Sequence, residues 1–146
     1  MKPAYPLADV RVVDLSSGIA GAYCTKLLAD AGADVVKVER PSGDPFRAEP
    51  ALFALLHTSK RSATLAPTVL EDRAVLDRLI ADADLVVTGH PAELDAWLGA
   101  GVDALRRRVP QLVAVSISWF GGFGPWSDRA ATEFTLQAWC GSIASR

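Results

Sequence analysis

The chain of 146 residues has little of what marks several common classes of protein. Its two cysteines, Cys24 and Cys140, form neither a C-x-x-C pair nor a metal-ligand spacing, so we expect no metal site and a reducing, cytoplasmic setting. No run approaches the roughly 18 apolar residues of a membrane-spanning helix, and the opening MKPAYPLADV lacks a signal-peptide core. A formal net charge of −2 gives no general attraction to nucleic acid or to an anionic membrane. These absences argue against nucleic-acid and membrane partners.

Several catalytic and nucleotide-binding signatures are missing as well. There is no G-x-S-x-G elbow, no P-loop and no H-E-x-x-H pair. The first turn carries Gly18 and Gly21 in a G-x-x-G spacing instead of the G-x-G-x-x-G fingerprint, so NAD is not the expected ligand. A Cys–His nucleophilic pair is open on inventory alone, but both cysteines fall in predicted helices, where small buried residues are the commoner explanation.

What the sequence does contain is a regular alternation of two apolar patterns. Half of the residues are hydrophobic, which is enough for a sizeable core. Short continuous apolar runs alternate with segments of helical periodicity, a pattern typical of βαβ units. We therefore predict an α/β fold with a parallel sheet whose strands are mostly covered on both faces. The predicted strands span residues 10–15, 35–39, 62–65, 85–88 and 112–117.

Helices are predicted between and after these strands. One opens with the capping-box pattern Thr68-x-x-Glu71 and carries an apolar stripe that includes Leu76 and Ile80. Gly32 stands where the first helix should end in a left-handed cap. Another helix follows Pro91, the remaining helices span about residues 20–31, 51–57, 102–108 and 132–143, and residues 41–50 and 121–128 are predicted loops.

The last predicted helix runs almost to Arg146 with no closing element behind it. We therefore expect residues 1–146 to be one partial domain, cut inside a larger fold. A short natural protein that ends in a docked helix is the alternative.

The turn at residues 16–21, SSGIAG, is the first candidate for a ligand site. It follows the first predicted strand and opens the first helix, so small residues there would let a phosphate-bearing ligand approach backbone amides at the positive end of the helix. Close packing of the helix on the strand also favours glycine and alanine, and it is the alternative explanation.

Other candidates lie at the same edge of the predicted sheet. Arg40 ends the second strand, where open α/β sheets bind a ribose or its phosphate, although it could equally form a surface ion pair. His90 follows Gly89 after the fourth strand and could donate to a ligand or serve the structure. The basic pair Lys60-Arg61 could neutralise phosphates, but solvated edge protection is the commoner role.

Taken together, these segments resemble the class III (CaiB/BaiF) CoA-transferase family. The resemblance covers essentially the whole chain but only about the first third of a typical family subunit. It implies a Rossmann-like open, mainly parallel sheet that binds coenzyme A, and interlocked homodimers. The matching blocks are LADVRVVDLSSGIAGAYCTKLLADAGADVVKVERPSGDPFR, SKRSATL, LIADADLVVTGHPAELDAWLG, PQLVAVSISWFGGFGPWSD and EFTLQAWCGS.

The resemblance also implies roles for particular residues. Arg40 would meet the adenosine or its 3′-phosphate, Leu65 would flank the nucleotide, and Glu133 would line the active site in an accessory role. Gly89 and His90 would also contact coenzyme A, but they occupy a position that often holds Asn-Phe in the family, so the chemistry of this contact differs. The remaining expected coenzyme A contacts are Ser17, Gly18, Ile19 and Ala20.

The activity that the resemblance implies is transfer of CoA from an acyl-CoA to a carboxylic acid. The family nucleophile is an aspartate that forms a mixed anhydride and then a CoA thioester, and by family spacing it falls after Arg146. Related racemases place a histidine where this chain has Thr132, which cannot act as a base near neutral pH, so racemase activity is disfavoured. A non-catalytic CoA- or nucleotide-binding module, or an assembly module, is the alternative function.

Overall fold

Five parallel strands form a single sheet in the order β3-β2-β1-β4-β5. The computed structural model describes residues 5–99 and 101–141. All five predicted strands are confirmed within one residue at each end, and so is their parallel arrangement. The strands are β1 (Arg11–Asp14), β2 (Asp34–Glu39), β3 (Arg61–Thr64), β4 (Leu85–Thr88) and β5 (Val113–Ser116).

Within the described residues, each predicted helix is present and the order is as predicted. No helix in the described ranges combines the length and apolarity needed to cross a bilayer. The helices are α1 (Ile19–Asp30), α2 (Pro50–His57), α3 (Leu70–Ala81), α4 (Pro91–Leu98), α5 (Val102–Arg108) and α6 (Glu133–Trp139).

Three features differ from the prediction: the start of α3, the loop after β2 and the end of α6. The capping box at Thr68 is wrong: α3 begins at Leu70, after Val69 as its N-cap residue, without a side-chain cap. Asp72 in the first turn accepts a hydrogen bond from the Ala66 amide at 2.7 Å. The predicted loop 41–50 contains a short 3₁₀ helix, Pro45–Ala48, whose start is capped when Asp44 accepts from the Phe46 amide.

The last helix is shorter than predicted. Thr132 caps its start, and the helix ends at Trp139 because Gly141 adopts a left-handed φ of 76°. Residues 142 and 143 of the predicted span lie outside the described residues.

The first helix ends as its sequence indicates. Gly32 has a φ of 102°, the left-handed conformation that glycine adopts without strain. A Cβ at this position would also come within 2.2 Å of the Tyr5 Cβ. The glycine therefore serves both the backbone conformation and the close packing of residues that precede β1.

Helices cover both faces of the sheet, so the chain is an α/β fold with a doubly wound arrangement. Helices α3, α4 and α5 pack on one face, and α1 and α2 on the other. The central strands are buried, whereas the edge strands β3 and β5 stay largely exposed, so the expected two-sided cover holds only for the centre. The predicted stripe of α3 is confirmed, since Leu76 and Ile80 are fully buried in the core.

The strand order reverses direction between β1 and β4. The chain moves from β1 outward to β2 and β3, then returns to place β4 on the other side of β1. In open α/β sheets such a switch point leaves a crevice at the carboxyl ends of the two strands, where ligands bind. The turn after β1 and the residues after β4 lie at this point.

Candidate functional site

Two neighbouring cavities lie at this switch point. The larger, here called the main pocket, has a volume of about 590 Å³, and the smaller, the side pocket, about 210 Å³. They share Ser16, Ser17 and Glu93. The main pocket is otherwise lined by Gly18, Ile19, Ala20, Gly21, Gly89, His90, Ile117, Ser118, Trp119 and Glu133. The side pocket is otherwise lined by Leu15, Lys37, Val38, Glu39, Arg40, Ser42, Gly43, Asp44, Pro45 and Trp97.

Most of the candidate site residues lie together. Arg40 lines the side pocket. Leu65 lines neither cavity, because it is 6% exposed and packs in the apolar core behind β3. The expected positions that line the main pocket are Ser17, Gly18, Ile19, Ala20, Gly89, His90 and Glu133.

The two glycines of the first turn serve different purposes. A Cβ built on Gly21 would come within 2.2 Å of the Ser16 Cβ, so this glycine is needed for α1 to approach the turn closely. A Cβ built on Gly18 would meet no atom within 4 Å, and its φ of 169° is open to any residue. Packing therefore explains Gly21, whereas Gly18 faces open space at the main pocket.

A network of buried charges, centred on Asp14, holds the turn at residues 16–21 against the rest of the fold. This side chain is fully buried, and its Oδ1 accepts from the amide of Ser16 at 3.0 Å and from the Ser16 hydroxyl at 2.6 Å. Its Oδ2 accepts from the Thr25 hydroxyl at 2.6 Å and lies 3.4 Å from the Lys60 ammonium. Asp14 therefore ties the turn to α1.

Lys37 extends the network toward the side pocket. Its Nζ donates to the Ser16 carbonyl and lies 3.4 Å from Asp44 Oδ2 and 3.7 Å from Asp14 Oδ1. One buried cation thus joins the turn after β1 to the segment after β2. Since a buried ion is unfavourable unless it is paired, these contacts restrict where both segments can lie.

Lys60 and His57 complete the network. Lys60 Nζ donates to the Ala22 carbonyl at 2.8 Å and to the Thr25 hydroxyl at 2.7 Å, and burial lowers the pKa of this ammonium while Asp14 opposes that shift. Burial, and then the neighbouring Lys60, lowers the pKa of His57, which favours the neutral imidazole. Lys60 is therefore a structural cation, and not the phosphate-neutralising or solvated residue that the sequence offered as its two roles.

A second ionic cluster holds the segment after β2. Glu39 accepts from Arg47 Nε at 2.7 Å and from Arg47 Nη2 at 2.8 Å, and also from the Ser62 hydroxyl and the Asp44 amide. The hydrogen bonds from Arg47 are the main cause that lowers the pKa of Glu39 to about 2. Glu39 therefore holds the loop that follows β2 in place. Arg40, the next residue in the sequence, lines the side pocket instead.

Arg40 already has an aromatic partner. Its guanidinium carbon lies 4.8 Å from the ring centroid of Trp97, a cation–π contact between the ends of β2 and α4. Trp97 is buried and lines the same side pocket. The contact holds the guanidinium at the rim of the pocket, where its donors can reach an anion.

The far side of the main pocket is formed by the segment that leads into α6. Glu133 accepts a hydrogen bond from the Gln137 side chain at 2.9 Å. His90 Nε2 lies 3.2 Å from the Ser127 carbonyl, so the ring links the end of β4 to the glycine-rich loop. Thr132 exchanges hydrogen bonds with Thr135 as the capping box of α6, which is its role in the fold.

The surroundings of Cys24 do not favour it as a nucleophile. Burial, and then the Asp14 carboxylate, raises the pKa of the Cys24 thiol, which opposes formation of a thiolate. Within residues 5–99 and 101–141, no three His, Cys, Asp or Glu side chains come together as a group that could hold a metal ion.

The buried ionic network next to the site was not predicted from the sequence. Asp14 and Lys37 each interrupt an apolar strand, and a charge inside a strand covered on both faces was a usable signal of a buried network. Their partners Asp44, His57 and Lys60 gave no such signal, since they lie in a loop and at a helix end.

Comparison with known proteins agrees with this geometry. Residues 7–145 match the family described as CoA-transferase family III. The chain is 37% identical over 139 residues to succinyl-CoA–D-citramalate CoA-transferase of Chloroflexus aurantiacus, covering 88% of this chain and 34% of that protein. It is 34% identical over 150 residues to formyl-CoA:oxalate CoA-transferase of Escherichia coli, covering 96% of this chain and 36% of that protein. The chain thus spans about a third of the length of these curated relatives.

Solved structures give the same result. A CaiB/BaiF family protein from Brucella suis superposes with a TM-score of 0.85 at 34% identity, over 93% of this chain and 39% of that one. The protein Rv3272 of Mycobacterium tuberculosis superposes with a TM-score of 0.86 at 32% identity, over 99% of this chain and 42% of that one. Because the sequence match extends over nearly the whole chain, this protein belongs to CoA-transferase family III.

Proposed function

We propose that this chain is the coenzyme A-binding, N-terminal part of an acyl-CoA:carboxylate CoA-transferase. The observation that carries the proposal is the pair of neighbouring cavities, with three lining residues in common, at the switch point between β1 and β4. Coenzyme A is a long ligand with an anionic nucleotide at one end and a thiol at the other. Two neighbouring cavities of unequal chemistry suit such a ligand better than one compact pocket would.

The residues present fit the two ends of coenzyme A. Arg40 offers guanidinium donors at the rim of the side pocket, which suits the 3′-phosphate or the adenosine. Gly18 leaves open space at the main pocket, where a side chain would otherwise project. The thioester end would then lie toward Glu133, on the far side of the main pocket.

The role of this chain in the reaction would be to bind and orient the thioester. Glu133, held by Gln137, would orient a substrate or the thioester in an accessory role. The nucleophile of the proposed transfer is an aspartate after Arg146, which would attack the acyl-CoA to form a mixed anhydride and release the CoA thiolate. The thiolate would then attack the aspartyl carbonyl, giving an enzyme thioester and freeing the donor carboxylate. The acceptor carboxylate would take the CoA by the same two steps in reverse. Residues 1–146 would be part of the large domain of a cytoplasmic, interlocked homodimer that acts on acyl-CoA and carboxylic acids.

Calorimetric titration of the purified chain with coenzyme A tests the nucleotide end. We expect Arg40→Ala to weaken binding roughly tenfold, because it removes a charged hydrogen-bond donor. Arg61→Ala is the matched control. Arg61 pairs with Asp34 where β3 and β2 begin, at the edge of the sheet opposite to the two pockets, so this substitution should leave the affinity unchanged. The loss should shrink with 3′-dephospho-CoA if Arg40 binds the 3′-phosphate. Equal affinities for coenzyme A in wild type and Arg40→Ala would remove this assignment.

A transfer assay tests the catalytic part. The purified chain, mixed with an acyl-CoA and an acceptor acid, should show no turnover. Turnover by this chain would contradict the proposed position of the nucleophile. Coenzyme A binding without transfer in the full-length parent would favour the alternative, a non-catalytic binding module.

A further inference from the structure

Glu93 lies where the main pocket and the side pocket meet, and it lines both. Its Oε2 accepts a hydrogen bond from the Gly89 amide at 3.0 Å, and its Oε1 accepts one from the Ser17 hydroxyl. These two donors come from the loops after β4 and after β1, and Ser17 lies 76 positions before Glu93 in the chain. One carboxylate thus joins the two turns that form the switch point.

The position of this carboxylate changes what the site can bind. An amide and a hydroxyl at the end of a parallel strand are the donors that usually hold a ligand phosphate. Here both are already engaged by a carboxylate, which satisfies them as a phosphate oxygen would. A phosphate that entered this junction would have to displace Glu93 and would be repelled by it.

We propose that Glu93 is an internal anion that excludes phosphate from the junction of the two pockets. Phosphate groups of the ligand are thereby confined to the Arg40 side, and the junction accepts an uncharged segment that carries amide or hydroxyl groups. This inference rests on the proposed function, since it assumes that a phosphate-bearing acyl carrier spans both pockets. It assigns Glu93 as a residue that determines ligand specificity and placement.

The test is calorimetric titration of the whole chain with two probes, coenzyme A and pantetheine, which lacks the phosphates. Glu93→Gln keeps the size of the side chain and one acceptor oxygen but removes the charge. We expect it to bind coenzyme A roughly tenfold more tightly than wild type at low salt, because like-charge repulsion is removed. The gain should shrink as salt screens the charge, and the affinity for pantetheine should not change.

Asp95→Asn is the matched control, since Asp95 is an exposed carboxylate on the same helix that lines neither pocket. It should leave both affinities unchanged. Glu93→Ala, which removes the charge in a second way, should shift coenzyme A binding in the same direction as Glu93→Gln. Circular dichroism of every variant establishes that it is folded before titration.

The outcomes separate this inference from the function on which it rests. If wild type binds coenzyme A and Glu93→Gln binds it equally or less tightly, the inference is overturned and the proposed function stands. Equal gains for coenzyme A and pantetheine would also overturn it, because the effect would then not depend on phosphate. Unfolding of both Glu93 variants would assign the carboxylate to the fold and overturn it as well. If neither wild type nor either Glu93 variant binds coenzyme A, the proposed function fails too.

Discussion

The two faces of the sheet are built from alternate residues of the same strands, and they differ sharply. Val13 and Val38 point to the face covered by α3, α4 and α5 and belong to the larger apolar cluster of the core. Their neighbours Asp14 and Lys37 point toward α1 and α2, on the face that carries both the charged network and a smaller apolar cluster. Both faces are buried, so the difference is not one of exposure to solvent.

The two kinds of packing contribute differently to the stability of the fold and to the positioning of the site residues. An apolar face is non-directional, and side chains of similar volume can replace one another at modest cost. A buried ionic face is directional, because each charge needs a partner at a set distance. The charged face is also the one that binds the turn at Ser16 and the loop at Asp44, both of which line the candidate site. We infer that the apolar clusters mainly hold the fold together and that the charged network mainly holds the site in shape.

The largest expected effect comes from a pair of neighbours on opposite faces. Asp14→Ala should lower the free energy of unfolding by about 3–5 kcal/mol, because it leaves two buried lysine ammonium groups without their shared carboxylate. Val13→Ala, on the apolar face of the same strand, should cost only about 1–3 kcal/mol. Urea unfolding followed by circular dichroism measures both. A smaller loss for Asp14→Ala than for Val13→Ala would break the contrast between the faces.

A smaller effect should separate the two glycines of the first turn. Gly21→Ala should cost about 1–3 kcal/mol, because the new Cβ meets the Ser16 side chain that Asp14 holds in place. Gly18→Ala should change stability by less than about 0.5 kcal/mol, since its Cβ would enter open space. Thermal unfolding of the two variants provides the measurement. If Gly21→Ala were as stable as Gly18→Ala, the charged face would not hold Ser16 firmly.

The smallest expected effect is the pH-dependent stabilisation that Glu39 provides. Glu39 has a pKa of about 2 in the folded chain and an ordinary value of 4.5, so its stabilisation is present above pH 4.5 and is lost as the pH falls toward 2. At pH 7 we expect Glu39→Gln to cost about 1–2 kcal/mol, less than the shift alone would give, because half of the Arg47 side chain is exposed.

Urea unfolding at pH 7 and at pH 2.5 tests this dependence. The difference between wild type and Glu39→Gln should fall by at least half at the lower pH. Asp77→Asn is the control, since Asp77 forms a half-exposed pair with Arg108 and should change stability little at either pH. A Glu39→Gln deficit that did not depend on pH would assign the loss to packing and not to the charge.

The strands were predictable to within one residue because most of them are short apolar runs bounded by small or polar residues, and such patterns are local. The positions of the turn after β1 and of Arg40 at the end of β2, both beside a cavity, were predictable for the same reason, because each directly follows a predicted strand. The capping box at Thr68 failed although its pattern is local too: Val69 is the N-cap residue of α3, and Asp72 accepts from the Ala66 amide six positions earlier.

Local patterns thus determined which segments are strands, which are helices and which turn opens the site. Only the tertiary structure decided which side chains meet: Lys60 with Asp14 across 46 positions, and Glu93 with Ser17 across 76. The physical reason is that strand order brings distant segments to the same edge of the sheet. A buried charge then stays where a partner of opposite sign or a matching hydrogen-bond donor is within reach, and no short stretch of sequence specifies that partner.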